Sequence, residues 1–311
     1  YSDQEVWKDV HRRKAGGPTA ARGIREAEIE TLLSSPEQAD EDQPESVFHA
    51  RAISIPTGQP ALTRHVSKVV KVHRLREVIA QVGFTRFESA VADIDGELAL
   101  DVERAALSLN QSWVPAVENR GEGIFLAIDP GAMHTWLARP AVKARGEQLL
   151  AGFDAWKKTH PGLSSATFPG LPYVMLHSLS HLLITAVSLD CGYAASSIRE
   201  RIYVGAAGYG ILLYTASPDA EGTLGGLVQA ADCIDKYLAE AVELGKLCAN
   251  DPVCAQHRPE SAEEERFLLG AACHGCLLLA ESSCERRNDF LDRSLIVATV
   301  DSDGAAFFTE V

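Results

Sequence analysis

Seven cysteines are spread so unevenly along this sequence that they are the first residues to ask for a chemical role. None precedes Cys191, and five crowd between Cys248 and Cys284. Cys273-His274-Gly275-Cys276 is a C-x-x-C knuckle, the spacing at which two thiolates grip one tetrahedral zinc ion. Cys248, Cys254 and Cys284 are the sources of further thiolates, which makes five candidates for a four-ligand site, and His257 and His274 are candidate nitrogen ligands. A sphere closed by thiolates supports folding rather than catalysis, so the expected zinc is structural. The bland alternative is a group of buried free cysteines. A thioredoxin-type redox pair fits poorly, because this knuckle does not open a helix after a first βαβ strand. An odd cysteine count without an export signal argues against a disulfide framework and for a reduced, cytoplasmic protein. Cys191 and Cys233, at or within helices, read as structural.

Other residues invite chemistry and mostly decline it. His177-Ser178-Leu179-Ser180-His181 sets two histidines one helical turn apart on one face. It lacks the glutamate of an H-E-x-x-H zinc protease, since Ser178 follows the first histidine, so hydrogen-bonded core or interface roles are expected. The Gly-rich stretches Gly205 to Gly210 and Asp219 to Gly226 have neither the lysine nor the spacing of a phosphate-binding loop, and read as tight turns. The chain should not hydrolyse nucleotides unaided. Basic residues concentrate at Lys68, Lys71, His73, Arg74 and Arg76, with Arg64 just before. Arg286, Arg287 and Arg293 form a second small group beyond the last cysteine. A net charge of -14 opposes general affinity for the phosphate backbone and leaves only a local strip for DNA.

The elements that must position these residues can be read from apolar periodicity. Ile24 to Leu33 predicts a short helix, followed by an acidic linker from Glu37 to Glu45. Val66 to Val72 and Gly123 to Ile128 predict strands, and Asp93-Ile94-Asp95-Gly96 between them predicts a hairpin turn. Met133 to Thr159 reads as helix broken at Pro140. Tyr173 to Leu189 reads as a helix buried on most sides and ended by Cys191-Gly192. Arg201 to Val204 and Ile211 to Thr215 read as strands, Leu227 to Leu247 as helix, and Leu295 to Val300 and Ala305 to Val311 as closing strands. The expected fold is α+β, with a charged segment and linker at 1–46, a β-containing domain at 47–165 and a helical and β zinc-stabilised domain at 166–311. The 311 residues are 46% hydrophobic and 23% charged, and no uninterrupted apolar run reaches the roughly 18 residues of a membrane span, so no membrane partner is expected. Starting at Tyr1, the sequence is expected to be a portion of something longer.

Several of these runs resemble the helicase-associated zinc-binding family called MZB. Gly210 to Ala216 with Glu221 to Gly226 carry the resemblance, as do the 273–276 knuckle, Ser283-Cys284-Glu285-Arg286 and Asn288 to Arg293. His177 to Ile184 and Cys191-Gly192-Tyr193 make the chain similar to the DrmB class within it. Val70 to Val78 and Gly83-Phe84-Thr85-Arg86 extend the likeness with less distinctive motifs. The resemblance implies a non-catalytic accessory subunit of the bacterial DISARM antiphage system, working with a DrmA-like helicase and assisting its engagement of DNA. It also implies a four-cysteine zinc site, for which Cys254, Cys273, Cys276 and Cys284 are the expected set, with Cys248 as the alternative. DNA contact is expected at Lys68, Lys71, Arg74, Arg76, Arg286 and Arg287. The competing readings are a stand-alone DNA-binding zinc module and a metal-dependent hydrolase or nuclease built on His177 and His181.

Overall fold

The structure, a computed structural model, describes residues 23–37, 46–81, 83–84, 105–107, 113–161, 166–215, 226–261, 266–302 and 304–309. The expected turn at Asp93 to Gly96, the acidic linker beyond Glu37 and most of the loop before Gly226 lie outside these residues. One antiparallel sheet organises the molecule. Its strands are β1 (His49–Ile53), β2 (Val66–Ala80), β3 (Ala116–Ile128), β4 (Ile198–Gly205) and β5 (Gly208–Thr215), ordered β1-β2-β3-β5-β4. The fold is α+β, as the alternation of strand and helix patterns predicts. The central strand β3 pairs with β5 through Gly123↔Tyr214 to Ile128↔Tyr209, so the sheet runs across the expected boundary at 165/166.

Both faces of the sheet are covered, which explains why β3 reads as a continuous apolar run rather than an alternating one. Ile124, Leu126 and Ile128 face the larger core, whereas Phe125 and Ala127 face a smaller one closed by α1 (Ile24–Leu33) through Ile29 and Leu32. The Gly-rich connection between β4 and β5 is the tight hairpin expected, with Gly208 at φ 142°. Past Arg74 on β2 and Gly123 on β3, the two strands continue alone as a ribbon, where Val78, Ile79 and Val117 are exposed. The outer edge of β4 is occupied by other segments. Glu200 N–H donates to Ser283 O at 3.1 Å, Ile202 N–H to the Glu285 carboxylate at 3.4 Å, and the Arg25 guanidinium donates to Ile202 O.

The larger core is built on α5 (Leu171–Cys191), after α2 (Pro60–Thr63), α3 (Pro130–Leu137) and α4 (Pro140–Thr159). Asp129 caps α3 by accepting from Ala132 N–H at 2.7 Å, and Pro140 divides α3 from α4 as its missing N–H requires. Gly192 ends α5 in the left-handed region at φ 71°. Every residue of α5 from Tyr173 to Ile184 is buried, and each leucine so buried stabilises the fold by about 1.5–3 kcal/mol. By length and composition α5 could cross a membrane, with a mean hydropathy of 1.4 over its best window, although histidines and hydroxyl residues interrupt its apolar run. Here 72% of that window is buried inside the fold, and it is the core helix.

Two expectations fail near the C-terminus. The pattern from Leu227 to Leu247 is not one helix: α6 (Gly226–Ala230) passes through a 3-10 turn at Ala231–Cys233 into α7 (Ile234–Lys246). Leu295 to Val300 and the described part of Ala305 to Val311 are not strands. Arg293–Leu295 forms a 3-10 turn, and Phe307 and Phe308 donate backbone N–H groups to Leu295 and Ile296 without building a ladder. Their apolarity is owed to burial: Leu295, Ile296, Val297, Phe307 and Phe308 fill the larger core. A short apolar run signals burial before it signals strand.

Candidate metal centre

Four cysteines converge where α7 gives way to loop: Cys248, Cys254, Cys273 and Cys276, with all four sulfurs within 4.8 Å of one another. Cys248–Cys273 is 3.5 Å, and Cys254–Cys276 and Cys273–Cys276 are each 3.8 Å. None is a disulfide. Tetrahedral thiolates around zinc stand about 3.8 Å apart, given Zn–S bonds of roughly 2.3 Å, so the donor set and its spacing fit zinc.

The peptide around the sulfurs is shaped to receive thiolates. Asn250 N–H points at Cys248 Sγ (3.4 Å), Gly275 N–H at Cys273 Sγ (3.3 Å) and Cys273 N–H at Cys276 Sγ (3.3 Å). The Asn250 side-chain amide donates to Cys273 Sγ at 3.2 Å. Burial opposes ionisation of Cys273, but the amide groups of Asn250 and Gly275 outweigh it and bring its thiol down to about 7. Contact with Cys276, then burial, pushes the Cys254 thiol up, and burial raises Cys248 to about 11. Four sulfurs this close cannot all ionise unaided; a divalent cation removes the obstacle.

The cluster is anchored to the core by Arg293, which is fully buried. Its guanidinium donates to Gly245 O at 3.0 Å and to the Asp251 carboxylate, fastening the Cys248–Cys254 turn to the end of α7. Next to it, Asp292 accepts from Arg145 Nε (2.7 Å), Ala271 N–H (3.1 Å) and Ser294 N–H (3.0 Å), which fixes the strand of chain entering the knuckle. Arg293 is therefore a structural cation, not part of a basic surface.

Cys284 is not brought to this cluster, and Cys248 is. The leucine run after the knuckle crosses α5, where Leu277 O receives His181 Nδ1–H at 2.8 Å. Ser283 is then tied to Ala195 O and to the edge of β4, so Cys284 ends against His177, His181 and Glu200. Chain proximity to the knuckle made Cys284 the expected fourth ligand; the intervening core helix is the physical reason it lies elsewhere. His257 Nε2–H donates to Arg266 O at 3.1 Å and is buried there, outside the sulfur cluster. Cys191 is half-buried at the end of α5, and Cys233 is exposed.

The basic residues differ in how far they are engaged within the fold. Lys68 Nζ donates to Leu33 O and Ser35 O at the end of α1, and Lys71, buried, pairs with Asp232 at 2.6 Å. Arg74 reaches Ser46 O at 3.4 Å, and Arg76 stands 3.8 Å from Glu118 on the ribbon. Arg286 lies over the Tyr173 ring at 5.7 Å, and Arg287 is exposed. Among the six expected DNA-contacting residues, Lys68, Lys71 and Arg74 thus make hydrogen bonds that hold the fold.

Residues 179–277 match the family model of the MrfA Zn-binding domain, MZB. That stretch contains Cys248, Cys254, Cys273 and Cys276, so the part of the chain similar to that domain holds the four-cysteine cluster, whose donors are those of a structural zinc centre. The chain is also 37% identical over 266 residues to the DISARM protein DrmB of Bacillus paralicheniformis. The match takes in 84% of this chain and 46% of that protein, so the chain spans about half the length of the relative. Among solved structures, the DUF1998 helicase MrfA bound to DNA is similar at 13% identity, with a TM-score of 0.25, over 73% of this chain and 25% of that one.

Proposed function

We propose that this chain is a non-catalytic, cytoplasmic accessory subunit of a DISARM-type complex that grips a DrmA-like helicase and assists its engagement of DNA. The observation that carries this reading is the 37% identity to a DISARM protein along 84% of the chain. Cys248, Cys254, Cys273 and Cys276 hold the zinc in this proposal. Four thiolates leave the metal no open coordination position for a substrate, and the role is to stiffen the Cys248–Cys276 segment. The hydrolase reading meets a physical obstacle. His177 and His181 are both 0% exposed, so no substrate in solution reaches them.

Co-expression with the helicase subunit tests the proposal directly. The two chains should co-purify as a stable complex, and a Cys273→Ser, Cys276→Ser variant should lose the zinc ion of the four-cysteine centre and the complex together. Failure of two folded, metal-loaded chains to associate would overturn it. Duplex DNA titrations over a range of salt separate the remaining alternative. The chain alone should bind no better than the roughly 10⁻⁴–10⁻⁶ M typical of non-specific contact at physiological salt, whereas a stand-alone DNA module would bind tightly and lose affinity steeply with salt.

A further inference from the structure

A second group of ligand-type side chains lies apart from the four-cysteine cluster: His177, His181, Glu200 and Cys284, whose donor atoms all fall within 4.8 Å of one another. All four are buried. The elements supplying them are independent of one another. His177 and His181 project from successive turns of α5, Glu200 from β4, and Cys284 from the loop beyond the knuckle. Within β4 the alternation places Glu200 inward beside Ile198 and Ile202, where a strand of this kind normally carries an apolar residue.

The orientation of each donor matches what a metal requires. His177 Nε2 lies 2.8 Å from Glu200 Oε1 and 3.1 Å from Cys284 Sγ, and His181 Nε2 lies 3.2 Å from the same carboxylate oxygen. The far nitrogens face backbone carbonyls: His181 Nδ1 meets Leu277 O at 2.8 Å and His177 Nδ1 meets Phe290 O at 3.3 Å. A carbonyl can only accept, so each Nδ1 carries a hydrogen; Nε2 faces the Glu200 carboxylate, another acceptor, and a metal ion would take the place of the proton each Nε2 otherwise shares with it. Cys284 Sγ receives N–H groups from Arg286 (3.3 Å) and Asn288 (3.1 Å). The contact from two residues downstream repeats the arrangement at Cys248 and Cys273. Glu200's second oxygen accepts from Ser180 Oγ, whose position is fixed by its relation to His177 O at 2.7 Å.

We propose that His177, His181, Glu200 and Cys284 form a second, buried structural zinc site, distinct from the four-cysteine centre. One thiolate and one carboxylate neutralise a divalent cation, so this site can be fully buried without net charge, whereas four thiolates around zinc carry two negative charges and sit where three of the cysteines are partly exposed. Borderline donors of mixed nitrogen, sulfur and oxygen type, four in number, suit zinc in a closed tetrahedral sphere. The family match covers 179–277, which takes in His181 and Glu200 but leaves His177 and Cys284 outside, so that stretch alone does not complete the site. The inference is independent of any role in a helicase complex.

Metal content of the purified full chain tests it. Native mass spectrometry and elemental analysis should find two zinc ions per chain, falling to one in Cys284→Ser and to one in Cys273→Ser, Cys276→Ser. With cobalt in place of zinc, the Cys273→Ser, Cys276→Ser variant should retain a tetrahedral spectrum with weak single-thiolate charge transfer, and adding Cys284→Ser should abolish it. One zinc per wild-type chain would overturn the proposal and leave a proton-bridged histidine–carboxylate cluster instead. Two zinc ions that persist in Cys284→Ser would overturn it equally. If that variant fails to fold, the isosteric Glu200→Gln takes its place, and the wild-type count of two or one decides on its own.

Discussion

At the scale of single residues, the chain spends its buried charges on holding loops. Asp292 is fully buried and accepts from Arg145, Ala271 and Ser294 at once. Removing it in Asp292→Ala leaves the Arg145 guanidinium buried without its counter-charge, which should cost about 3–5 kcal/mol in urea unfolding. Burial pushes the Asp292 carboxyl up, but Arg145 and the Ser294 donors outweigh it and hold it below the usual range. Its contribution is therefore complete at pH values above the unfolded pKa of about 3.9 and is lost as pH falls through the lower folded value. Wild type and Asp292→Asn should accordingly differ by a constant amount from pH 7 to about 5 and converge only below about 4, as followed by denaturant midpoints. The knuckle at Cys273 and Cys276 was legible from spacing alone, because i,i+3 cysteines in a turn have one common use. Cys248 against Cys284 was not, because nothing in sequence distance says that a core helix intervenes. Glu200 carried a signal that went unused: a carboxylate in register with Ile198 and Ile202 on one strand face.

At the scale of elements, the short apolar runs of β2, β3, β4 and β5 translated into strands, whereas those near the C-terminus did not. α1, the break at Pro140 and α5 follow their patterns because each has a decisive local feature: a compact apolar set, a missing N–H, or an apolar surface on all sides. Leu295 to Val300 had only apolarity, which a buried coil satisfies equally well. α4 shows how closely the zinc segment is seated on the helices. A Cβ at Gly152 would stand 2.5 Å from both Phe267 O and Pro259 Cβ. Ordinarily Gly→Ala inside a helix gains about 1 kcal/mol. Here the clash reverses the sign, and Gly152→Ala should destabilise by roughly 1–2 kcal/mol, visible as a lower thermal midpoint with zinc content unchanged.

At the scale of the whole molecule, the two halves separated by composition near residue 165 share one sheet. β3 contributes its buried run to both cores and hydrogen-bonds to β5 from the other half. Residues 166–311 produced alone should therefore fail to form a monomeric fold, and should bind a hydrophobic dye or aggregate; a well-dispersed amide spectrum from that fragment would refute this. Cutting at a composition break misleads when the strands on either side pair. The occupied edge of β4 has a consequence for assembly. Exposed sheet edges recruit partners by strand addition, with the incoming backbone completing the ladder. At β4 the outward groups of Glu200 and Ile202 are already satisfied by Ser283, Glu285 and Arg25, so the molecule has plugged that socket from within. A protein bound on this side must recognise side chains and surface shape, which makes its contacts specific to sequence in a way that backbone pairing is not.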